Sequence, residues 1–343
     1  MDPQLRLFQR QCLQLFEPDF LVWPPKPLLR DPSGQAWLYS QLFDPQTNEK
    51  LPPERYQLRV LKPLVAKIEE AIESPEQDGV SDHLMSRLSN LMASGLPSES
   101  TAVQQKSYVT FTCLPPNRTI QEDDVEEPTL TLLERRHLIS GSLTTGFRTW
   151  EAALHLGSYL LSPTGRRLIE GKSVLELGAG TGFLGMLAAK HLGAKHVTTT
   201  DGDEGVVKAL LENMQLNGLH DEQTMQANVF RWGADLKEDW IEKDYDLWPY
   251  DVIVGADITY DKTAIVALVD TLQSLFKLRP VLNVIISGAV RNLETFQFFQ
   301  NACLRNNFDL EEINFKPQSI RQQTSLFYAT AVPLKILSIK APR

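Results

Sequence analysis

At 343 residues and 42% hydrophobic side chains, the chain is long enough to bury one large core or two modest ones. A formal net charge of -9 argues against a protein that coats nucleic acid, because phosphate binding needs a net basic face. Three cysteines, Cys12, Cys113 and Cys303, are odd in number, widely spaced and without neighbouring His pairs, which supports neither a disulfide framework nor a zinc site.

The first ten residues, ending at Arg10, carry charge where a secretion signal needs an apolar core. No later run approaches the roughly 18 apolar residues of a spanning helix, so a cytoplasmic protein with no membrane contact is expected. Helix-spaced apolar residues predict helices over Leu5–Phe16, Leu58–Ile72 and Asp82–Met92, broken by the proline clusters at Trp23–Pro27 and Leu51–Pro53. No polar constellation appears in this helical region, residues 1–105, which is expected to dock substrate. From Lys106 the pattern turns to alternation: Tyr108–Cys113 and Thr129–Leu133 predict two short strands around an acidic segment, Glu122–Glu127, expected to be a solvated loop. A second unit, residues 106–343, therefore begins with this strand pair.

Ile139–Trp150 is a loop of small residues that can wrap a ligand closely, and it opens an amphipathic helix running to Leu160. Strands at 173–177, 196–200, 251–256 and 281–287 then alternate with helices at 183–191, 204–216, 263–276 and 293–306, with a further strand expected just before Asn228. Alternation of this kind predicts a parallel sheet covered by helices on both faces, an α/β fold.

The most informative stretch is Val174–Gly182, an apolar strand carrying Glu176 that runs into Gly178, Gly180 and Gly182. Glycines there remove the Cβ atoms that would keep a ligand off the backbone. Gly180, Gly182 and Gly185 also satisfy the dinucleotide pattern, with Asp201 at the spacing of a ribose carboxylate, so a nicotinamide oxidoreductase is one reading. Glu176 inside the strand, the extra Gly178 and the later Asp257-Ile-Thr-Tyr260 tail favour the other, an enzyme that uses S-adenosyl-L-methionine. In that reading Glu176 lies below the glycine loop and helps fix it. The two oxygens of Asp201 would accept both ribose hydroxyls, with Asp203 as the alternative or as a helix cap. Trp232 would lie against the adenine face with Asn228 near its edge, or pack in the core; Trp150 is open to the same two readings. Asp257 and Tyr260, at the carboxyl end of a strand, would form the reaction centre, with a helix cap and a packed tyrosine as the plainer alternative. His137, His155 and the remaining histidines are dispersed and are read as surface or core residues.

These residues together resemble the seven-strand S-adenosylmethionine-dependent protein-lysine methyltransferases of the methyltransferase-like group, whose mark is an acidic residue, two others, and Tyr or Phe after strand four. Within that group, the Ser140–Ala153 block, the helical N-terminal region and the Gly288–Phe296 block are similar to the fungal-type elongation factor 2 lysine methyltransferases. The resemblance implies a Rossmann-like class I methyltransferase domain with a helical N-terminal extension, acting as a cytoplasmic monomer on elongation factor 2. It further implies that Trp150, Glu176, Gly178, Ala179, Gly180, Asp201, Trp232 and Ala256 contact the cofactor and that Asp257 and Tyr260 address the lysine. A catalytically silent binding module of the same fold is the remaining alternative.

Overall fold

The computed structural model describes residues 1–74, 76, 78–95, 105–116, 126–135, 145–233 and 239–342. His137, the first half of the small-residue loop and most of the acidic segment lie outside them. The N-terminal region contains α1 (Pro3–Leu13), α2 (Lys26–Arg30), α3 (Pro32–Leu42), α4 (Glu54–Glu69) and α5 (Asp82–Ala93). Apolar periodicity accounts for α1, α4 and α5. It misses α3, whose start, Asp31 capping the amides of Ser33 and Gly34 with Pro32 in the first helical turn, reads in sequence as one more proline break.

These helices bury Leu5, Phe8, Leu38, Leu61, Leu64 and Ile68 in a core of their own, joined by Phe327 from the far end of the chain. The polar seam beside Phe327 is equally specific. Gln14 donates to the Phe327 carbonyl and accepts its amide. Arg10, 2% exposed, forks onto both oxygens of Glu127 and donates to the Thr324 carbonyl at 2.8 Å. The acidic segment is thus not a solvated loop at its described end: Glu127 is the counter-ion that a buried guanidinium requires.

β1 (Ser107–Thr112) and β2 (Thr129–Glu134) form the expected antiparallel pair. The rest of the chain runs α6 (Glu151–Leu161), α7 (Pro163–Arg166), β3 (Ser173–Leu177), α8 (Phe183–His191), β4 (His196–Asp201), α9 (Glu204–Leu216), β5 (Met225–Val229) and α10 (Asp239–Leu247). It continues through β6 (Val252–Ala256), α11 (Lys262–Leu278), β7 (Asn283–Ala289), α12 (Leu293–Arg305), β8 (Asp309–Glu312) and β9 (Leu334–Lys340). Asn213 of α9 and Asn217 just after it accept the amides of Leu133 and Thr131, so side chains finish the free edge of β2.

The sheet has seven strands in the order β5-β4-β3-β6-β7-β9-β8, parallel from β5 through β7 and antiparallel at β9. Strand pleating divides its side chains between two cores. Val174, Val252 and Val254 point to the face covered by α6, α8 and α9, whereas Leu175, Leu177 and Ile253 point to the face covered by α11 and α12. The order reverses between β3 and β6, which opens a crevice at their carboxyl ends.

Candidate active site

The chain leaves β3 through three glycines in the left-handed region, Gly178 at φ +64°, Gly180 at φ +54° and Gly182 at φ +81°. Space demands glycine as well as conformation does. A Cβ at Gly178 would meet Ile258 Cγ2 at 2.6 Å and the Trp232 ring at 3.2 Å, and one at Gly180 would press on the Gly146 carbonyl at 3.2 Å. Between them, the Ala179 amide donates to the Thr200 carbonyl at 2.8 Å, tying the loop to β4.

Asp201, the last residue of β4, completes that tie. Its Oδ2 accepts the Gly180 amide at 3.0 Å and its Oδ1 the Asp203 amide at 3.2 Å. Burial pushes the Asp201 carboxyl above the usual range, and the two amides oppose the shift. Asp203 caps α9 through the amides of Gly205 and Val206, the helix-cap role that the sequence offered for it.

Glu176 turns inward. Its Oε2 accepts the Gly185 amide at 2.9 Å in the first turn of α8, and the side chain is buried. Burial is the dominant influence and pushes its carboxyl up to about 8. Through that hydrogen bond Glu176 fixes the helix that follows the loop. Gly185 has no room for a side chain: a Cβ would stand 2.3 Å from Thr199 Cγ2 and 2.7 Å from Glu176 Oε2.

The described half of the small-residue loop packs onto the glycines. Thr149 Oγ1 lies 2.7 Å from Thr181 Oγ1, and the Thr149 amide donates to Glu134 at 3.1 Å. Trp150 donates its indole N–H to the Thr145 carbonyl at 3.1 Å. Its ring faces the guanidinium carbons of Arg148 at 5.0 Å and Arg291 at 5.1 Å, cation–π contacts, and the residue is half-buried. Trp232 is also half-buried, with its ring beside Gly178; Asn228 sits in register with Thr200, one strand away.

Ala256 ends β6 opposite Ser287, and Asp257 follows in the left-handed region at φ +53°. Holding a non-glycine residue there costs about 1 kcal/mol. Asp257 Oδ1 accepts the Ala289 amide at 2.8 Å, and Oδ2 accepts from Arg291 at 3.2 Å. Burial pushes its carboxyl up, while Ala289 and Arg291 pull it down. The plainer alternative for this tetrapeptide does not hold: Asp261 caps α11 through the Ala264 amide, and Tyr260 is 67% exposed at the crevice.

Motif reading placed Arg148, Glu151 and Arg291 in the two blocks that carry the family resemblance but gave none of them a role of its own. Arg291 donates to Glu151 at 2.9 Å as well as to Asp257, and Glu151 also takes Arg148 at 3.0 Å. Asp257 and Glu151 are 106 positions apart, and their common partner is visible only once the strands are assembled. The expected residues thus fall into two adjoining groups at the carboxyl ends of the strands. Glu176, the glycine loop, Asp201 and Trp232 form the first, and Ala256, Asp257, Tyr260 and Trp150 the second. Ile258, packed against Gly178, connects them.

A family model described as lysine methyltransferase matches residues 127–304. The protein-lysine N-methyltransferase EFM3 of Chaetomium thermophilum is 43% identical over 343 residues, spanning 99% of this chain and 98% of its own length. EFM3 of Saccharomyces cerevisiae is 33% identical over 192 residues, 52% of this chain and 54% of that one. The human protein-lysine N-methyltransferase EEF2KMT is 32% identical over 177 residues, 50% of this chain and 53% of that one.

Proposed function

The chain belongs to the lysine methyltransferase family and is a protein-lysine N-methyltransferase, and from that premise we propose that it uses S-adenosyl-L-methionine to methylate a lysine of elongation factor 2. The observation that carries the cofactor assignment is the loop after β3. Two left-handed glycines present bare backbone, an aspartate at the end of the next strand is tied to that backbone, and an indole lies beside it. This donor set fits the group. Gly178, Ala179 and Gly180 would carry its amino-acid part and Asp201 its ribose hydroxyls. Each Asp201 oxygen already takes one amide and keeps a lone pair for a hydroxyl. Trp232 would pack against the adenine, and Ala256 and Trp150 would line the side toward the acceptor. When bound, the cofactor supplies a methyl group on a sulfonium centre.

The chain's own residues must deliver a neutral, oriented amine. A free lysine has a pKa near 10.4, so deprotonation at pH 7 costs about 4 to 5 kcal/mol unless the site lowers it. Exclusion of water and a nearby cation both lower it, and fixed positioning of the nitrogen contributes several kcal/mol more. Asp257 and Tyr260 are assigned to orientation. Asp257 is not the base, because a carboxylate beside an ammonium favours the protonated form. Residues 1–105 would present the protein substrate to the crevice.

The test has two parts. S-adenosylmethionine, and not NADH, should raise the melting temperature of the purified chain. In a yeast extract lacking the endogenous enzyme, labelled S-adenosylmethionine should mark one band of elongation factor 2 size. Stabilisation by NADH alone would return the site to the oxidoreductase reading, and label in other bands would discard the substrate.

A further inference from the structure

Arg291 is held at more points than a surface arginine needs. Its guanidinium reaches Asp257 at 3.2 Å and Glu151 at 2.9 Å and lies over Trp150. Its backbone is fixed too: its amide donates to the Ala289 carbonyl at 2.8 Å, and the next residue, Asn292, caps α12 through Thr295. An arginine fork set against two carboxylates and an aromatic ring is pre-organised in one orientation.

The charges that act on Asp257 are Arg291 and Glu151, and further pairs lie on the neighbouring elements. Arg291 stands at the end of β7, and Glu151 and Arg148 stand at the start of α6, paired at 3.0 Å. At the tips of α11 and α12, Lys262 and Glu294 pair with each other. Asp257 and Glu151 are matched by Arg291 and Arg148, so a lysine entering the crevice meets no uncompensated carboxylate in this chain of ion pairs.

We propose that Arg291 is a positioning residue for methyl transfer: by neutralising Asp257 it lets that carboxylate orient the acceptor nitrogen without holding a proton on it. The proposal rests on the reading of the Asp257 crevice as the lysine site. Without Arg291, the lysine ammonium becomes the counter-ion of Asp257, and a neighbouring opposite charge of this kind raises a pKa by about one unit or more.

The measurement is the pH dependence of single-turnover methylation, with the protein band that the wild-type enzyme labels in a yeast extract as acceptor, whatever its identity. Arg291→Gln should move the rise of rate upward by about one pH unit, leaving the rate at pH 7 about tenfold low and restoring it in alkali. Arg291→Lys should keep the wild-type midpoint. The double variant Asp257→Asn/Arg291→Gln should return the midpoint toward wild type, because both charges are gone. Loss by the same factor at every pH in Arg291→Gln, or a double variant that stays shifted, would overturn the proposal and reduce Arg291 to a brace between β7 and α6. Wild-type rates in Asp257→Ala would instead remove the crevice reading itself, and the proposal with it.

Discussion

Asp201 at the end of β4 and Gly180 in the loop after β3 are joined by a 3.0 Å hydrogen bond, so the residue proposed to bind ribose also sets the shape of the backbone proposed to bind methionine. Loop and carboxylate are then one unit. Asp201→Ala should weaken S-adenosylmethionine binding by more than tenfold, because hydrogen bonds to a charged group are worth about 1.5 to 3 kcal/mol and more than one is lost. Isothermal titration calorimetry reads this directly. Affinity within twofold of wild type would remove Asp201 from the site.

Glu176 predicts a pH dependence of stability. Its carboxyl is pushed up to about 8 in the fold, against an ordinary value of 4.5. Between those values the folded chain holds a proton that the unfolded chain releases. The contribution is therefore complete below about 4.5 and lost as pH rises through about 8. Glu176→Gln removes the titration but can still accept the Gly185 amide. The stability of wild type relative to this variant should fall from pH 5 to pH 8, by at most about 1.4 kcal/mol per pH unit, and level off above. Urea melts across that range check the slope. A difference that does not change with pH would mean that Glu176 is ionised in the fold.

Trp232 lies beside Gly178, where a flat ligand ring would meet it. Trp232→Ala should weaken S-adenosylmethionine binding about tenfold, on the scale of about 1 to 3 kcal/mol for a base stacked on an aromatic side chain, and Trp232→Phe should recover most of the loss. Equal losses in both variants, seen by calorimetry, would point to core packing as the role of the indole.

Arg10 fixes the N-terminal helices to the methyltransferase domain through Glu127 and Thr324. Arg10→Ala should destabilise the chain by about 2 kcal/mol, since it removes the forked partner of a partly buried carboxylate and leaves it only Arg6 at 3.5 Å. Glu127→Gln in the same background should restore part of the loss. Thermal melts that match wild type would show that the helical region is held without this pair.

The strand ends around the candidate site were legible in the sequence because their signals are local. Gly178, Gly180 and Asp201 stand at strand ends, and the Asp257-Ile-Thr-Tyr260 tail follows a run of apolar residues that can only be a buried strand. The alternation after Ser173 likewise predicted the parallel sheet. What escaped has physical reasons. α3 begins with Asp-Pro, which serves as cap and first turn but looks like a break. α10 is a short helix in a heavily charged stretch, and β8 and β9 are antiparallel strands beyond the last βα unit. Glu127 sat in an acidic run, and its partner Arg10 is 117 positions away. The bridge from Asp257 through Arg291 to Glu151 exists only where three separate segments meet beyond the carboxyl ends of β6 and β7.

The central claim, that this site methylates a lysine of elongation factor 2 from S-adenosylmethionine, is tested most directly by mass spectrometry. Purified, unmethylated elongation factor 2 would be incubated with the enzyme and cofactor, digested and mapped. The account predicts methyl additions of 14 Da each on one lysine, present with the wild-type chain and lost with Asp257→Ala. Elongation factor 2 left unmodified by a wild-type chain that binds S-adenosylmethionine, or modified equally by Asp257→Ala, would contradict it.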